Sequence, residues 1–353
     1  MDISQIDKNF AVNPINEPDI EWIDARDPCF LIYGVYFDEA EDAFVRIPRD
    51  VATATNDGVA VLYRHTSGGR VRFITDSPYV AVKAVVAKPT VMRNITMIGM
   101  AGFGIYAEGK YEEAVIPLYD NMIKSETDRS AVSGIAKLGA VAERKIEVYF
   151  PLYNGTHSVY IGVKRGSEIK PYPYDTTKRV LYYGSSITQG GCASHPGNDY
   201  AAMISRMVDC DYINLGFSGS ARGEQVMCDY IASTPMDVFV LDYDHNAPSV
   251  EHLKNTHYNV CKTVREKNPT LPIVMLSRPD FYPNKNVLAR REIVRETYAR
   301  AVSEGDANVY IVDGEQLFEG EMRDACTVDG CHPNDLGFLR MANVVSPVIK
   351  SVL

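Results

Sequence analysis

Two short stretches hold residue types that can do covalent chemistry. In "YYGSSITQGG", Tyr182 to Gly191, an apolar run stops at a glycine, two serines and a threonine. In "VDGCHPNDLGF", Val328 to Phe338, Asp329 and His332 stand three residues apart close to the end of the sequence. A serine hydroxyl is a weak nucleophile at neutral pH and needs a base within hydrogen-bond reach, usually an imidazole. That imidazole needs its second nitrogen held by a carboxylate, which fixes the tautomer and stabilises the imidazolium. The Asp329–His332 spacing lets one turn of chain bring the two side chains together. Pro333 restricts the backbone of His332, and Asn334 or Asp335 could cap the final helix, so the histidine would sit at a rigid junction. Taken alone, each stretch still reads as a turn. The serine loop lacks G-x-x-x-x-G-K-[ST], and Gly184, Gly190 and Gly191 do not make G-x-G-x-x-G. Thr188 stands where a G-x-S-x-G elbow would have its second glycine.

Two further stretches supply hydrogen-bond donors. "NLGFSGSARG" (214–223) contains Gly219, whose backbone N–H could be exposed, and "DYDHNAP" (242–248) contains Asn246. Backbone N–H groups and a side-chain amide are what a tetrahedral oxyanion needs. Asp244 and His245 flank Asn246 and could shape a pocket or bind substrate, as could Arg278, Asp280 and Tyr282 in "SRPDFYP"; a structural network is the competing reading. His195 in "CASHPGND" lies near the serine loop in sequence, where a surface role is the simpler reading. Trp22, the single tryptophan, could be a sugar platform, although packing is the commoner use of a lone Trp.

These residues must be positioned by two halves with different periods. Up to about residue 170 the chain reads as β: "FLIYGVYF" (30–37), "VAVLYRHTS" (59–67), "RVRFITD" (70–76), "YVAVKAVVA" (79–87), "KIEVYFPLY" (145–153) and "SVYIGV" (158–163) are short and rich in β-branched and aromatic residues. With turn residues between them, an antiparallel β-sandwich of jelly-roll type over 1–170 is expected. "KRGSEIKPYPYDTTKR" (164–179) has two prolines and no apolar periodicity and reads as a linker. From 171 to 353, apolar strands "VLYY", "YINL", "DVFVLDY", "IVMLS" and "VYIVD" alternate with helical patterns, which predicts a parallel sheet covered on both faces, a three-layer α/β/α domain. Sites in such sheets form at the carboxyl ends of strands. The serine loop follows the first strand, the Gly219 loop the second, the Asn246 loop the third and the Arg278 loop the fourth.

Bulk properties narrow the function classes. The net charge of −10 and the absence of a Lys/Arg-rich run argue against nucleic acid. No apolar stretch reaches bilayer-spanning length, so no membrane partner is expected. The first residues lack a basic start followed by an apolar run, which points to a cytoplasmic protein, or a secreted one if a leader has been removed. Seven cysteines without zinc-type spacing read as reduced, mostly buried thiols.

In order, Ser186, Gly219, Asn246 and Asp329-x-x-His332 resemble the four blocks of the SGNH hydrolases, also called GDSL-like esterases and lipases. "GSSIT" has Ser186 in the nucleophile place and Ser185 where the family has aspartate; "DHNA" keeps Asn246 but carries Asp244 and Ala247 at its flanks. The resemblance implies a serine esterase with a Ser186–His332–Asp329 triad, an oxyanion hole of the Ser186 and Gly219 N–H groups and the Asn246 amide, and no metal or cofactor. A β-sandwich ahead of such a domain is similar to carbohydrate esterases of family two, which implies O-acetyl esters of sugars as substrate; some of those enzymes work with a Ser–His dyad. An acylated small molecule or oligosaccharide is then the expected partner, with oligomeric state left open. The alternatives are a lysophospholipase- or thioesterase-type acyl hydrolase and an inactive carbohydrate-binding protein.

Overall fold

The computed structural model describes residues 3–7, 14–116 and 129–353. Strands whose side chains alternate between a dry and a wet side build its first half. Tyr79–Ala87, with Lys83 exposed in a mostly buried run, pairs antiparallel with Thr156–Lys164 on one side and Arg129–Lys137 on the other. Ala43–Val45 and Tyr36–Asp38 extend that sheet, and Ile20–Asp24 also pairs with Thr156–Lys164. A second antiparallel sheet centres on Arg70–Thr75, Arg144–Tyr149 and Phe103–Ala107, with Lys110–Val115, Ile169–Pro171 and Leu31–Tyr33 at its margins. Val71, Phe73, Val80, Val82, Ile146, Val148 and Ile161 fill the space between the two sheets of this β-sandwich.

Three readings of this half need correction. Residues 59–67 are not a strand: Asp57–Leu62 is a helix, because Asn56 caps it, its Oδ1 accepting the Val59 N–H at 2.9 Å, and Val59 and Tyr63 share its buried face. The β-branched run that suggested a strand is overruled by that cap. Residues 30–37 are two strands, Leu31–Tyr33 and Tyr36–Asp38, in different sheets, broken at Gly34 with φ of 75°. The segment 164–179 is no free linker. Ile169–Pro171 is an edge strand, where proline is tolerated, and Tyr172 and Tyr174 stack on the Arg72 guanidinium at 3.8 and 3.5 Å.

The second half is a parallel sheet in the order Asp211–Gly216, Arg179–Gly184, Val238–Asp242, Ile273–Leu276, Val309–Val312, with helices on both faces. Val180 and Tyr182 enter one core, Leu181 and Tyr183 the other, which explains the continuous apolar strands. The second strand lies on one side of the first and the third on the other. The strand order therefore reverses at Arg179–Gly184, the position where α/β sheets open a crevice.

Both cores of the parallel sheet also contain residues of the first half. Val45, Ile47, Ala52, Val59 and Tyr63 pack into one, and Met100, Tyr106, Tyr149, Leu152 and Tyr153 into the other. A buried ion pair joins the halves as well. Arg70, with no exposed surface, donates to Asp211 Oδ1 at 2.6 Å, to the Tyr174 hydroxyl at 2.6 Å and to the Gly68 carbonyl at 2.7 Å. Arg179 takes the other oxygen of Asp211 at 2.5 Å.

Breaking one side of a buried pair strands the other charge. Asp211→Ala is therefore expected to lower the unfolding free energy by about 3–5 kcal/mol in urea titration, whereas neutral replacement of exposed Asp229 should leave it within about 0.5 kcal/mol.

Candidate active site

The serine turn is fixed by close approach and by hydrogen bonds from both halves. A Cβ on Gly184 would lie 1.9 Å from Thr188 Oγ1, and one on Gly216 would lie 2.2 Å from the Gln189 nitrogen, so the one-turn helix Ser186–Gln189 sits directly on two strand ends. Ser185 caps that helix, its Oγ accepting the Ile187 N–H at 3.1 Å. Capping is work that a short polar side chain does well, so serine fills the family aspartate's place. Thr188 and Tyr200 hydroxyls both donate to Asp242 Oδ2 at 2.8 Å, and Asn214 donates to the Thr188 carbonyl at 2.7 Å. From the sandwich, Ser67 donates to the Gln189 carbonyl at 2.7 Å and Tyr153 to the Ser186 carbonyl at 3.1 Å.

Against this turn stands the loop before the final helix, Asp335–Val352, capped by Asn334. Ser186 Oγ lies 2.9 Å from His332 Nε2. His332 Nδ1 lies 2.8 Å from Asp329 Oδ2, and the His332 backbone N–H donates to Asp329 Oδ1 at 2.8 Å. Partial burial would raise the Asp329 pKa. The hydrogen bonds from the His332 backbone and ring and from Asn94 outweigh it and hold the carboxyl well below its ordinary range. A serine hydroxyl on an imidazole whose other nitrogen meets an ionised carboxylate is an arrangement able to make an alkoxide equivalent.

Hydrogen-bond donors surround the turn. Gly219 has φ of 67°, and among the described residues its N–H has no acceptor. The Ser186 N–H begins a helix and so has no intrahelical acceptor. Asn246 Nδ2 donates to the Phe217 carbonyl at 2.7 Å, which spends one N–H and fixes the amide. Behind the Gly219 loop, buried Arg46 of the sandwich donates to the carbonyls of Asn214 at 3.0 Å and Gly216 at 2.6 Å and stacks on Phe217. Burial pushes its pKa down to about 9.

The flanking candidates differ in placement. Asp244 is buried and its Oδ2 accepts the Arg278 N–H at 3.1 Å, so it anchors the loop that carries Arg278. His245 Nε2 meets Cys331 Sγ at 3.2 Å; burial first, and then the nearby Arg278 charge, lower its pKa to about 3, so it is neutral. The Arg278 side chain has no hydrogen-bond acceptor among the described residues and faces His245 and Cys331 electrostatically. Asp280 caps its own loop through the Tyr282 N–H at 2.9 Å, and Tyr282 is exposed. His195 stacks on Tyr111 of the sandwich at 4.0 Å, and Trp22 packs with Ile20, Tyr79 and Ile135 on the sandwich's outer face. Asp329, Cys331 and His332 bring three ligand-type atoms within 4.8 Å. Asp329 and His332 are already joined by a hydrogen bond at 2.8 Å, which by itself brings two of the three residues together.

Two family models match the chain over consecutive ranges. A GDSL-like lipase/acylhydrolase family model matches residues 177–350, and a model for the N-terminus of SGNH-hydrolase-type esterases matches residues 20–169. The chain belongs to the SGNH, or GDSL-like, hydrolases. No curated protein matches it. Among solved structures it is similar to a Bacteroides ovatus protein described as a GDSL-like lipase, at 26% identity with a TM-score of 0.82, over 94% of this chain and 98% of that one. It shares its fold with a salicylyl-acyltransferase from a tetracycline biosynthetic pathway, at 20% identity and a TM-score of 0.77 over 96% and 99% of the two chains. It also shares it with a family two carbohydrate esterase from Clostridium thermocellum in complex with cellohexaose, at 15% identity and a TM-score of 0.62 over 91% and 98%. No helix among the described residues is long and apolar enough to cross a membrane. All seven cysteines are free thiols, five of them buried.

Sequence reasoning did not find Asn94, Tyr153, Ser67, Arg46 or Asp242. The first four lie in the sandwich, where nothing in their spacing relates them to residues more than thirty positions away. Asp242, close to Asn246 in "LDYDHNA", is legible as the last residue of a buried strand, where a carboxylate needs donors.

Burial, and then the nearby Asp244 charge, raise the Asp242 pKa to about 7. An unfolded aspartate releases its proton near pH ~4. Between those values the folded state holds a proton that the unfolded chain has lost, so stability falls as pH rises, by at most about 1.4 kcal/mol per unit. Asp242→Asn, which keeps an acceptor for Thr188 and Tyr200, is expected to flatten that fall when melting temperatures of both proteins are compared from pH 4 to 7.

Proposed function

We propose that this chain is a serine esterase that hydrolyses O-acyl esters, specifically O-acetyl esters of carbohydrates, with Ser186, His332 and Asp329 as its triad. The observation that carries the reading is the unbroken line of contacts from Ser186 Oγ to His332 Nε2 at 2.9 Å and from His332 Nδ1 to Asp329 Oδ2 at 2.8 Å. Ser186 Oγ attacks the ester carbonyl while His332 takes its proton, and Asp329 stabilises the imidazolium. The carbonyl oxygen becomes an oxyanion, met by the Ser186 and Gly219 N–H groups and the remaining N–H of Asn246. Collapse expels the alcohol, which leaves with the proton from His332, and Ser186 keeps the acyl group. Water, deprotonated by His332, then releases the acid and restores Ser186. Arg278, whose side chain has no acceptor among the described residues, is the cation that the alcohol side of the substrate would meet. Family membership supports ester hydrolysis, and the fold shared with carbohydrate esterases supports sugar alcohols as leaving groups.

Ser186→Ala is expected to lower hydrolysis of a small aryl acetate by at least about 10³-fold and to abolish labelling by a fluorophosphonate, with melting temperature unchanged. Equal labelling of both proteins would remove Ser186 from the mechanism. Asn246→Ala should lower kcat by about 10²–10³-fold. Mass spectrometry of acetylated oligosaccharides should show stepwise loss of acetyl units. Turnover that instead rises from acetyl to octanoyl esters would replace the sugar reading with a lysophospholipase- or thioesterase-type activity.

A further inference from the structure

We propose that Asn94, on a loop of the β-sandwich, is a positioning residue of the relay: it completes the hydrogen-bond shell of Asp329 and so couples the sandwich to the basicity of His332. This rests on the triad reading above.

Asn94 Nδ2 donates to Asp329 Oδ2 at 2.7 Å, the same oxygen that His332 Nδ1 meets at 2.8 Å. The other oxygen, Oδ1, accepts the backbone N–H groups of His332 at 2.8 Å and Cys331 at 3.1 Å. A carboxylate has about four acceptor sites, and all four are taken. Among the described residues, Asn94 is the one donor that comes from outside the Asp329–His332 turn itself. Burial does not hold Asp329, whose side chain is 32% exposed, so its orientation depends on these bonds. Without Asn94 the carboxylate keeps three donors, all from its own turn, and Oδ2 is open to water.

The Asn94 loop is itself fixed to the segments that carry the site. Thr96 Oγ1 donates to the Ser194 carbonyl at 2.9 Å and accepts the Gly99 N–H at 3.0 Å, capping the helix Met97–Ala101. A Cβ on Gly99 would lie 2.3 Å from the Ala193 carbonyl, so that helix rests on the chain just after the serine turn. Ser194 in turn donates to Asp335 Oδ1 at 2.9 Å, at the start of the final helix. Ile95 and Met97 pack on the shared core. Serine turn, sandwich loop and histidine turn thus form a closed ring of contacts, and Asn94 is the member that reaches the carboxylate. Among the described residues its side chain has no other hydrogen-bond partner.

Asn94→Asp keeps the shape of the side chain and replaces the donor with a second acceptor beside Asp329. The added negative charge favours the imidazolium, so the acid limb of kcat/KM should move to higher pH, with kcat lower by about tenfold and KM unchanged. Asn94→Ala should lower kcat similarly with a smaller shift of the limb in the same direction. The other ionisable groups facing the pair, namely His245, Arg278, Cys192 and Cys331, are the same in all three proteins. A Ser186→Ala background allows the His332 ring to be titrated by NMR without any substrate. A shift there in Asn94→Asp upholds the coupling even if the wild-type protein proves to have no esterase activity, an outcome that would count against the proposed function alone. Variants that match wild type in kcat, pH limb and ring titration overturn the proposal. A loss of kcat that tracks a lower melting temperature, with the limb and the titration unmoved, also overturns it.

Discussion

A hydroxyl and an imidazole 146 residues apart in sequence must be held 2.9 Å from one another for this site to exist. That separation leaves no local device able to set it. The serine turn belongs to the first strand of the parallel sheet and the histidine turn to the entry of the last helix, and each is rigid on its own account. What sets the distance is the packing between them. Tyr200 and Phe338 stack in the same core, with Tyr200 tied to Asp242 behind the serine and Phe338 in the first turn of the final helix. Close-packed interiors transmit such positions with little slack.

The β-sandwich is part of that packing and not a passenger. It buries side chains in both cores of the parallel sheet and places Arg46 on the carbonyls that open the Gly219 loop. Ser67 and Tyr153 hold the carbonyls of the serine turn. The second half carries the Ser186–His332–Asp329 contacts and the first half carries supports for them, and the buried Arg70–Asp211 pair crosses the junction between the two. Such pairs contribute little net stability and are costly to break, so they favour one arrangement of the halves over others.

Much of the architecture could be read from periodicity. Parallel strands buried on both faces are continuous apolar runs, and five such runs stand in the sequence in chain order. The first half was harder. Gly34 splits one apparent strand between two sheets, Asn56 converts another into a helix, and the prolines of 164–179 hide an edge strand. In each case a single residue with strong local demands overrules the average of its neighbours.

The sequence by itself determined which groups could do the chemistry. Ser186, Gly219 and Asn246 sit in motifs behind the first three parallel strands, Asp329 and His332 in a motif before the last helix, and motif spacing is a local property of the chain. Tertiary structure alone decided which groups support them. Asn94, Arg46, Tyr153 and Ser67 act through contacts between segments with no shared pattern; Asp244, two residues before Asn246, anchors the Arg278 loop, while His245 meets Cys331 Sγ in the histidine turn. A hydrogen bond depends on distance in space, and distance in space between remote segments is fixed only when the cores that join them close.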